Sequence, residues 1–381
     1  MEIRSKTSQQ MIKDANLKLV FSLISQHEPI SRADLKKITG LSATTVSALC
    51  EELFAENLIL ETGMKESTKS GRKAVLLSIN PEGGYFGGIK IGSALRLDLY
   101  DLKFRRVKSA HCPITNWKNL SSLIAKTVEE ATNVLERQAP LLGLTIGVPA
   151  AIDTQNSKIL SSTVLEELTS DEDIVGELRK IFPNIPILLC NDSSLIAYAE
   201  KEFGDHARNL ISIDISDGVG SGIVIDGNIY AGASGMAGEF GHISVDLNGP
   251  KCKCGSFGCL ESMVSIPAIL NEIKKETSLI LTPEEAYAAC SGGNDRVKAV
   301  LEKVAKVLSF GIGNVLNLLD PELIVLSGEI KEFGDALLLP LRQHLAEKTL
   351  LGKDIPVQFS SVEGNAVTLG GARYAFDIRF Q

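Results

Sequence analysis

Three cysteines and one histidine lie close together in the second half of the chain: His242, Cys252, Cys254 and Cys259. Three thiolates and one imidazole are a common ligand set of structural zinc, which holds four such ligands in a tetrahedron. Two glycines between the second and third cysteine would let the backbone turn tightly around the metal. Cys252 and Cys254, one residue apart, are badly placed for a disulfide, and nothing else indicates an oxidising compartment. The pattern therefore predicts a zinc site, with chance clustering as the alternative.

Length and composition indicate a folded protein of several domains. The chain has 381 residues, 44% hydrophobic and 23% charged, which suffices for two or three domains with separate cores. No apolar run reaches the length of a membrane-spanning helix, and the N-terminus does not resemble a signal sequence, so we expect a cytoplasmic location and no membrane contact. The net charge is −8, yet residues 1–80 contain 11 Lys and Arg against 9 Asp and Glu. This asymmetry weakly indicates that the N-terminal arm meets an anionic partner.

The first eighty residues have the pattern of a helix-turn-helix. Apolar residues at helical spacing predict a helix over residues 16–26, and Ser31 and Asp34 form a capping pair for a second helix over residues 32–38. Gly40 supplies the turn, and a third helix begins at Ser42 with an apolar stripe along one side. In DNA-binding helix-turn-helix proteins, residues at the start of the recognition helix contact base edges in the major groove, and the third helix would take that role here.

The DNA contacts predicted from this motif come from two helices and a loop. Two strands, over residues 58–60 and 74–79, enclose a polar and basic loop, so the motif is a winged one whose loop reaches phosphates or the minor groove. The candidate contacts are Arg32, Lys36, Lys37, Ala43, Thr44, Thr45 and Ser47 in the helices and Lys69, Arg72 and Lys73 in the wing. A three-helix module that binds no nucleic acid is the alternative.

Strands and helices alternate after residue 84, which predicts an α/β body. The predicted strands cover residues 85–91, 95–102, 107–114, 141–148, 185–190, 210–215, 222–225 and 323–326, and the main helices cover 120–137, 193–203 and 296–319. Mixed sheets duplicated around a cleft place ligands between the lobes. We therefore predict a winged helix in residues 1–80, a linker in 81–84, a first lobe in 85–205 and 363–381, and a second lobe with the zinc site in 206–362.

Five motifs give the chain its resemblance to a known family. They are Gly147-Val-Pro149-Ala-Ala-Ile-Asp153, Asn191-Asp192 with Glu200 downstream, Glu239-Phe-Gly-His242, the cysteine cluster ending in Cys259-Leu-Glu261, and Asn317-Leu-Leu-Asp-Pro321-Glu322. The chain resembles the ROK family (repressor, open reading frame, kinase) over nearly its whole length. The N-terminal winged helix resembles that of the repressor branch.

The resemblance implies a fold, a metal site and a sugar pocket. The fold is the actin-like ATPase fold, which is ribonuclease H-like and hexokinase-like, in two lobes. The implied zinc ligands are His242, Cys252, Cys254 and Cys259, and the implied sugar ligands are Asn191, Asp192, Glu239, His242 and Glu261. Carboxylates and a carboxamide can pair with adjacent sugar hydroxyls. Without the family, Asn191 and Asp192 after a strand are more simply a helix cap or turn.

The loops that bind nucleotide in the kinases of this family are altered here. Their Asp-x-Gly-Gly-Thr pattern corresponds to Lys90-Ile-Gly92-Ser93-Ala94, so the metal-binding carboxylate is replaced by a lysine. A second loop places a carboxylate where the kinases resemble one another in having threonine, and a third loses its run of glycines. The altered positions and the glycines kept beside them are Lys90, Gly92, Asp217, Gly218, Gly220 and Gly328.

The leading hypothesis is a sugar-responsive transcriptional regulator, most simply a repressor. It would bind operator DNA as a homodimer or higher homo-oligomer and a sugar effector between the lobes. The alternative is an ATP-dependent sugar kinase of glucokinase or N-acetylhexosamine kinase type that kept its DNA-binding arm, with Asp192 as general base and ATP and magnesium as cofactors. A third possibility is a zinc-stabilised scaffold that binds only proteins.

Overall fold

The computed structural model describes residues 8–64, 74–135, 139–154, 156–162, 165, 173–348 and 356–380. The chain forms two compact units. One contains Met1–Ile146, Ile174–Leu188 and Gly371–Gln381, and the other contains Gly147–Asp173 and Leu189–Gly370. The predicted functional division at residues 80, 84, 205 and 362 stays a prediction. Over the described ranges, every helix is too short or too polar to cross a bilayer.

The N-terminal segment folds into three helices and a small sheet. The elements are α1 Ser8–His27, β1 Ile30–Ser31, α2 Arg32–Thr39, α3 Ala43–Ala55, β2 Ile59–Met64 and β3 Val75–Ile79. The sheet has the order β1-β3-β2. The Ser31 hydroxyl accepts the amide of Asp34, which confirms the predicted cap of α2, and the Ser42 hydroxyl accepts the amide of Thr45 at the predicted start of α3. Gly40 ends α2 in the left-handed region with φ of 71°.

Helix α1 is longer than its apolar pattern predicted, and one of its side chains packs against the end of the chain. Phe21 is fully buried, and its ring centroid lies 4.2 Å from that of Phe380 and 5.7 Å from that of Phe376. Both partners belong to the C-terminal helix Ala366–Phe380. Hydrophobic contact of this kind fixes the N-terminal helices to the rest of the first unit.

Residues 81–84 form a turn in which two glycines are buried. A Cβ added at Gly83 would lie 2.3 Å from the carbonyl oxygen of Asn57, so only glycine fits this close approach. The side-chain amide of Asn80 donates through Nδ2 to the same carbonyl at 2.8 Å, and the Lys103 ammonium pairs with the Glu28 carboxylate at 2.9 Å. The winged helix and the following sheet are thus joined by specific contacts within the first unit.

The next elements along the chain include the strands of a five-stranded sheet. They are β4 Tyr85–Ile91, β5 Ala94–Asp101, β6 Arg106–Pro113, α4 Leu120–Asn133, β7 Leu141–Val148, β8 Ala151–Asp153, β9 Lys158–Ser161, α5 Ile174–Ile181, β10 Ile187–Asn191 and α6 Asp192–Phe203. The sheet order is β10-β7-β4-β5-β6, and β4, β5 and β6 pair in antiparallel fashion. Strands β8 and β9 form a separate hairpin. The sequence pattern did not predict this hairpin because its strands are only three and four residues long.

The second five-stranded sheet belongs to the second unit, and segments of the candidate site pack against it. Its elements and the remaining helices are β11 Leu210–Ile215, β12 Val219–Ile225, β13 Asn228–Ile229, α7 Glu261–Val264, α8 Ile266–Thr277, α9 Pro283–Ser291, α10 Asp295–Leu319, β14 Leu323–Ser327, α11 Asp335–Ala346, β15 Val357–Phe359 and α12 Ala366–Phe380. The order is β13-β12-β11-β14-β15, with β11, β14 and β15 parallel. A large apolar core packs the long helix α10 and its neighbours on this sheet.

Candidate functional sites

The four predicted metal ligands converge on one point of the second unit. The ligand atoms of His242, Cys252, Cys254 and Cys259 all lie within 4.8 Å of one another. The sulfurs of Cys254 and Cys259 are 3.6 Å apart, and the Cys252 sulfur is 3.8 Å from His242 Nδ1. Tetrahedral zinc with metal–sulfur distances of about 2.3 Å separates its ligands by about 3.8 Å. The residues present therefore fit a zinc ion, with Nδ1 as the nitrogen ligand.

A short hairpin positions the three thiols. Residue Ser244 bridges to Cys259, and Lys251 bridges to Phe257, while the amide of Cys252 donates to the carbonyl of Ser256 at 2.8 Å. Burial raises the pKa of the Cys259 thiol to about 12. A metal ion must therefore displace a firmly held proton from Cys259 when it binds.

His242 has a second nitrogen, and it lies toward a predicted sugar ligand. Its Nε2 is 3.9 Å from Glu239 Oε2, beyond a direct hydrogen bond. His242 ends the turn Phe240–His242, and Glu239 is the residue directly before that turn. A histidine that binds a metal through Nδ1 carries its proton on Nε2, so this nitrogen is a donor aimed at the Glu239 side.

The predicted sugar ligands come from three distant segments that all pack on the start of β12. Glu261 Oε2 accepts the amide of Val219 at 3.1 Å. A Cβ added at Gly241 would lie 2.3 Å from the carbonyl oxygen of Val219, and one at Gly222 would lie 2.2 Å from that of Ser193. These glycines let the turn of Glu239 and His242, and the N-terminal end of α6, approach the strand closely.

Asn191 and Asp192 stand at the start of α6, and Asn191 does act as its cap. Its Oδ1 accepts the amide of Ser194 at 3.1 Å, and its Nδ2 donates to the carbonyl of Ala150 at 3.2 Å. Asp192 Oδ1 accepts the amide of Ser193 at 2.8 Å. The cap fixes where these polar groups lie, so a structural role and a binding role are compatible here.

The second and third of the altered nucleotide loops contact one aspartate, Asp214, which the sequence pattern did not single out. Asp214 accepts the hydroxyl of Ser327 at 3.1 Å and that of Ser216 at 3.3 Å. The Ser216 hydroxyl in turn accepts the amide of Glu329 at 3.3 Å. The signal that could have revealed Asp214 was a carboxylate in strand β11, which has no other charged residue. These hydrogen bonds join the ends of strands β11 and β14 around the Asp214 carboxylate. Asp217, in the loop after β11, is exposed.

The first loop lies in the other unit and is cationic. Lys90 is the cross-strand neighbour of Arg96, whose Nε donates to Asp98 Oδ2 at 2.8 Å. Gly92 donates its amide to the carbonyl of Ala94 at 3.1 Å. An ammonium group beside a guanidinium group cannot hold a magnesium ion, which requires oxygen ligands.

The predicted DNA contacts of the helices lie in the first unit and are largely exposed. Ala43, Thr44 and Ser47 are exposed, Thr45 is half-buried, and Lys36 and Lys37 are exposed near the end of α2. Arg32 differs, because it pairs with Glu51 at 3.1 Å and lies over the ring of Phe54. The wing candidates Lys69, Arg72 and Lys73 lie outside the described residues.

A winged helix followed by α/β units, with a Cys3His group in the second unit, defines a class of regulator built on a sugar-kinase fold. The chain belongs to the ROK family, whose model matches residues 86–377. The winged helix precedes that match. The predicted fold class and family are thereby confirmed.

Two proteins that are similar to nearly the whole chain are regulators. The chain is 32% identical over 370 residues to a xylose repressor from Bacillus spizizenii, which covers 95% of each chain. A solved ROK family transcriptional regulator, a homolog of the E. coli MLC protein, has a TM-score of 0.83 at 27% identity and covers 97% of this chain and 96% of its own. A ROK family glucokinase from Streptomyces griseus, solved with glucose and AMPPNP, has a TM-score of 0.65 at 21% identity and covers 77% of this chain and 99% of its own. The last likeness shows the fold alone.

Proposed function

We propose that this protein is a sugar-responsive transcriptional repressor of carbohydrate metabolism. The proposal rests on a single chain that combines the exposed start of α3 in a winged helix with the predicted sugar ligands near β12, and that is similar over 95% of its length to a xylose repressor. A repressor must reach chromosomal DNA, so the cytoplasm remains the expected location. Two-fold operators match two-fold proteins, so we also propose a homodimer.

The proposed sugar ligands have complementary hydrogen-bonding roles. Asp192, Glu239 and Glu261 are acceptors for sugar hydroxyls, while the protonated Nε2 of His242 and the amide of Asn191 are donors. The hydrogen bond from the Val219 amide fixes one carboxylate oxygen of Glu261. The position of the other oxygen, the proposed acceptor for a sugar hydroxyl, is thereby restricted. Such a mixed set of groups suits a ring of hydroxyls, each of which is both donor and acceptor.

Zinc in this proposal is structural. The group offers four protein ligands, which complete a tetrahedron and leave no position for a substrate. A bound ion would fix the loop that carries Cys259, and Glu261 follows that cysteine by two residues. It would also fix the ring of His242, so the metal orients two sugar ligands without touching the sugar.

Phosphoryl transfer is disfavoured by the charges at the altered loops. Lys90 stands where the kinase pattern has a metal-binding aspartate, and Asp217 stands in a glycine-rich loop that would face phosphates. A carboxylate facing a triphosphate is repulsive unless a metal lies between them. The presence of Asp192 does not distinguish a sensor from a kinase, because both need this carboxylate to recognise a hydroxyl.

Helix α12 is the proposed connection from the sugar set to the DNA-binding helices. At its start, a Cβ added at Gly370 would lie 2.0 Å from the carbonyl oxygen of Leu195 in α6, so the two helices are in close contact. At its end, Phe376 and Phe380 hold Phe21 of α1. A shift of α6 caused by sugar at Asp192 would thus act on an element that also holds the winged helix. A sugar can drive this only by its different affinity for two states.

The proposal is tested by DNA binding and ligand binding measured separately. We expect the zinc-loaded protein to shift DNA from upstream of its own gene, with affinity that falls steeply as salt rises. We expect one sugar of a panel that includes xylose, glucose and N-acetylglucosamine to raise its melting temperature without ATP. If the protein binds no DNA at low salt, the proposed repressor function is wrong.

The kinase alternative keeps one favourable observation, the glycines Gly218, Gly220 and Gly222 of the second loop. It predicts sugar-dependent ATP consumption that an Asp192→Asn variant abolishes. Sustained ATP consumption by the wild type would support the kinase, and its absence alongside DNA binding would support the sensor.

A further inference from the structure

The exposed start of α3 lacks the side chains that usually make paired hydrogen bonds with bases. Its exposed residues are Ala43, Thr44, Ser47, Ala48 and Glu51. Guanine is most often read by arginine or lysine and adenine by asparagine or glutamine. None of these four types occurs in α3. The face must therefore distinguish base pairs by another kind of contact.

The hydroxyl groups at this end of α3 are engaged with one another. The oxygen of Ser42 lies 2.8 Å from the hydroxyl of Thr44 and 2.8 Å from that of Thr45, and it also accepts the amide of Thr45 at 3.0 Å. The capping arrangement therefore uses the hydroxyl of Thr44, an exposed residue, within the protein. The methyl group of Thr44 is the part of the side chain that remains for contact with a partner.

The acidic residues of α3 are also paired. Glu51 accepts Arg32 at 3.1 Å, and Glu52 accepts Lys13 at 2.6 Å. These pairs reduce the repulsion that two carboxylates would exert on phosphates, and Lys36 and Lys37 add positive charge in the helix before the turn. The surroundings of the methyl groups thus suit an approach to DNA.

We infer that α3 reads thymine methyl groups through the methyl groups of Thr44 and Ala48. This inference rests on the proposed DNA-binding function and names the chemical group that the helix recognises. Threonine and alanine methyls are the apolar partners that thymine C5-methyl groups accept in the major groove. Residues four apart on a helix have Cβ atoms about 5–6 Å apart. Base steps along one strand are about 3.4 Å apart, so the two methyls would meet thymines one or two steps apart.

Deoxyuridine tests the inference because it differs from thymidine only by the missing methyl group. Duplexes are first selected from a random-sequence pool by the full-length, zinc-loaded protein, and each thymine is then replaced by uracil in turn. Burying one methyl group corresponds to about a fourfold change in affinity. We expect replacement at the contacted positions to weaken binding about fourfold, with little change elsewhere in the duplex.

Two substitutions of Thr44 separate its methyl from its hydroxyl. Thr44→Ser keeps the hydroxyl and loses the methyl. This variant should therefore bind duplexes with thymine or uracil equally well at the position that Thr44 contacts. Thr44→Val keeps a methyl and loses the hydroxyl, so it should still prefer thymine. Retained discrimination in Thr44→Ser would overturn the assignment to this residue.

The outcomes distinguish this inference from the function on which it rests. A protein that selects no DNA from the pool contradicts the proposed repressor and this inference with it. A protein that selects DNA but binds every uracil duplex as tightly as the thymine duplex keeps the repressor and overturns only the methyl reading.

Discussion

Replacing Phe21 by alanine should destabilise the first unit strongly, because this side chain attaches α1 to the C-terminal helix. Phe21 is fully buried and contacts the rings of Phe376 and Phe380. Truncation of a buried phenylalanine to alanine costs about 3–5 kcal/mol of unfolding free energy, and a close aromatic pair contributes about 0.5–1.5 kcal/mol of that. We expect a loss of about 4 kcal/mol for Phe21→Ala.

The only tryptophan of the chain makes the assay specific. Trp117 lies in the first unit, as do Phe21 and both of its partners, so its fluorescence reports unfolding of that unit in urea. Leu19→Ala is the matched control, because Leu19 lies on the same helix but is 45% exposed. A surface change of this kind should cost about 0.5 kcal/mol or less.

A double substitution isolates the ring contact itself. Phe21→Ala and Phe380→Ala together should cost less than the sum of the single losses, by about 1 kcal/mol, because each single variant already removes the pair. If Phe21→Ala costs no more than Leu19→Ala, then α1 does not depend on this packing. The proposed connection through α12 would then be wrong.

Three further predictions concern the second unit. Elemental analysis should find zinc in the wild type and in Cys290→Ser, a change outside the cluster, but not in Cys254→Ser; zinc retained by Cys254→Ser would show that the ligands are misassigned. Glu261→Gln should weaken sugar binding about tenfold in calorimetry, because a neutral acceptor replaces a charged one, and unchanged affinity would remove Glu261 from the pocket. Glu200 is buried with one oxygen lacking a hydrogen-bond partner among the described residues, and burial raises its pKa above the ordinary 4.5. The folded chain therefore keeps a proton that the unfolded chain loses, and stability falls as pH rises through this window. Glu200→Gln should accordingly melt higher than the wild type at about pH 8 but not at about pH 4, and equal melting at both would contradict this burial cost.

Local signals predicted the elements of the winged helix well. The capping residues Ser31 and Ser42 and the turn at Gly40 are encoded within a few positions, so the starts of α2 and α3 follow from sequence alone. The attachment of α1 to residues at the other end of the chain did not follow. Phe21 carries no mark of a partner more than 350 residues away in the sequence, since an apolar stripe says only that a face is buried.

The same distinction holds for the candidate site. Cysteine spacing predicted the metal group, because its three thiols lie within eight positions. A shared pocket of Asn191, Glu239 and Glu261 was only an implication of the family resemblance, and the packing of their segments on β12 had no local signal because it depends on close approaches between distant segments. The network around Asp214 was missed for the same reason.

Reciprocal titration measures the proposed linkage between sugar binding and DNA binding in this chain. With a sugar identified by its thermal shift, the Kd for operator DNA is measured by fluorescence anisotropy with and without sugar, and the Kd for sugar by calorimetry with and without DNA. Linkage requires both to change by the same factor, typically about 5- to 150-fold. A repressor released by its effector predicts weaker binding in both titrations. If each ligand binds with the same Kd whether or not the other is present, sugar binding and DNA binding are not linked and the proposed sugar response is contradicted.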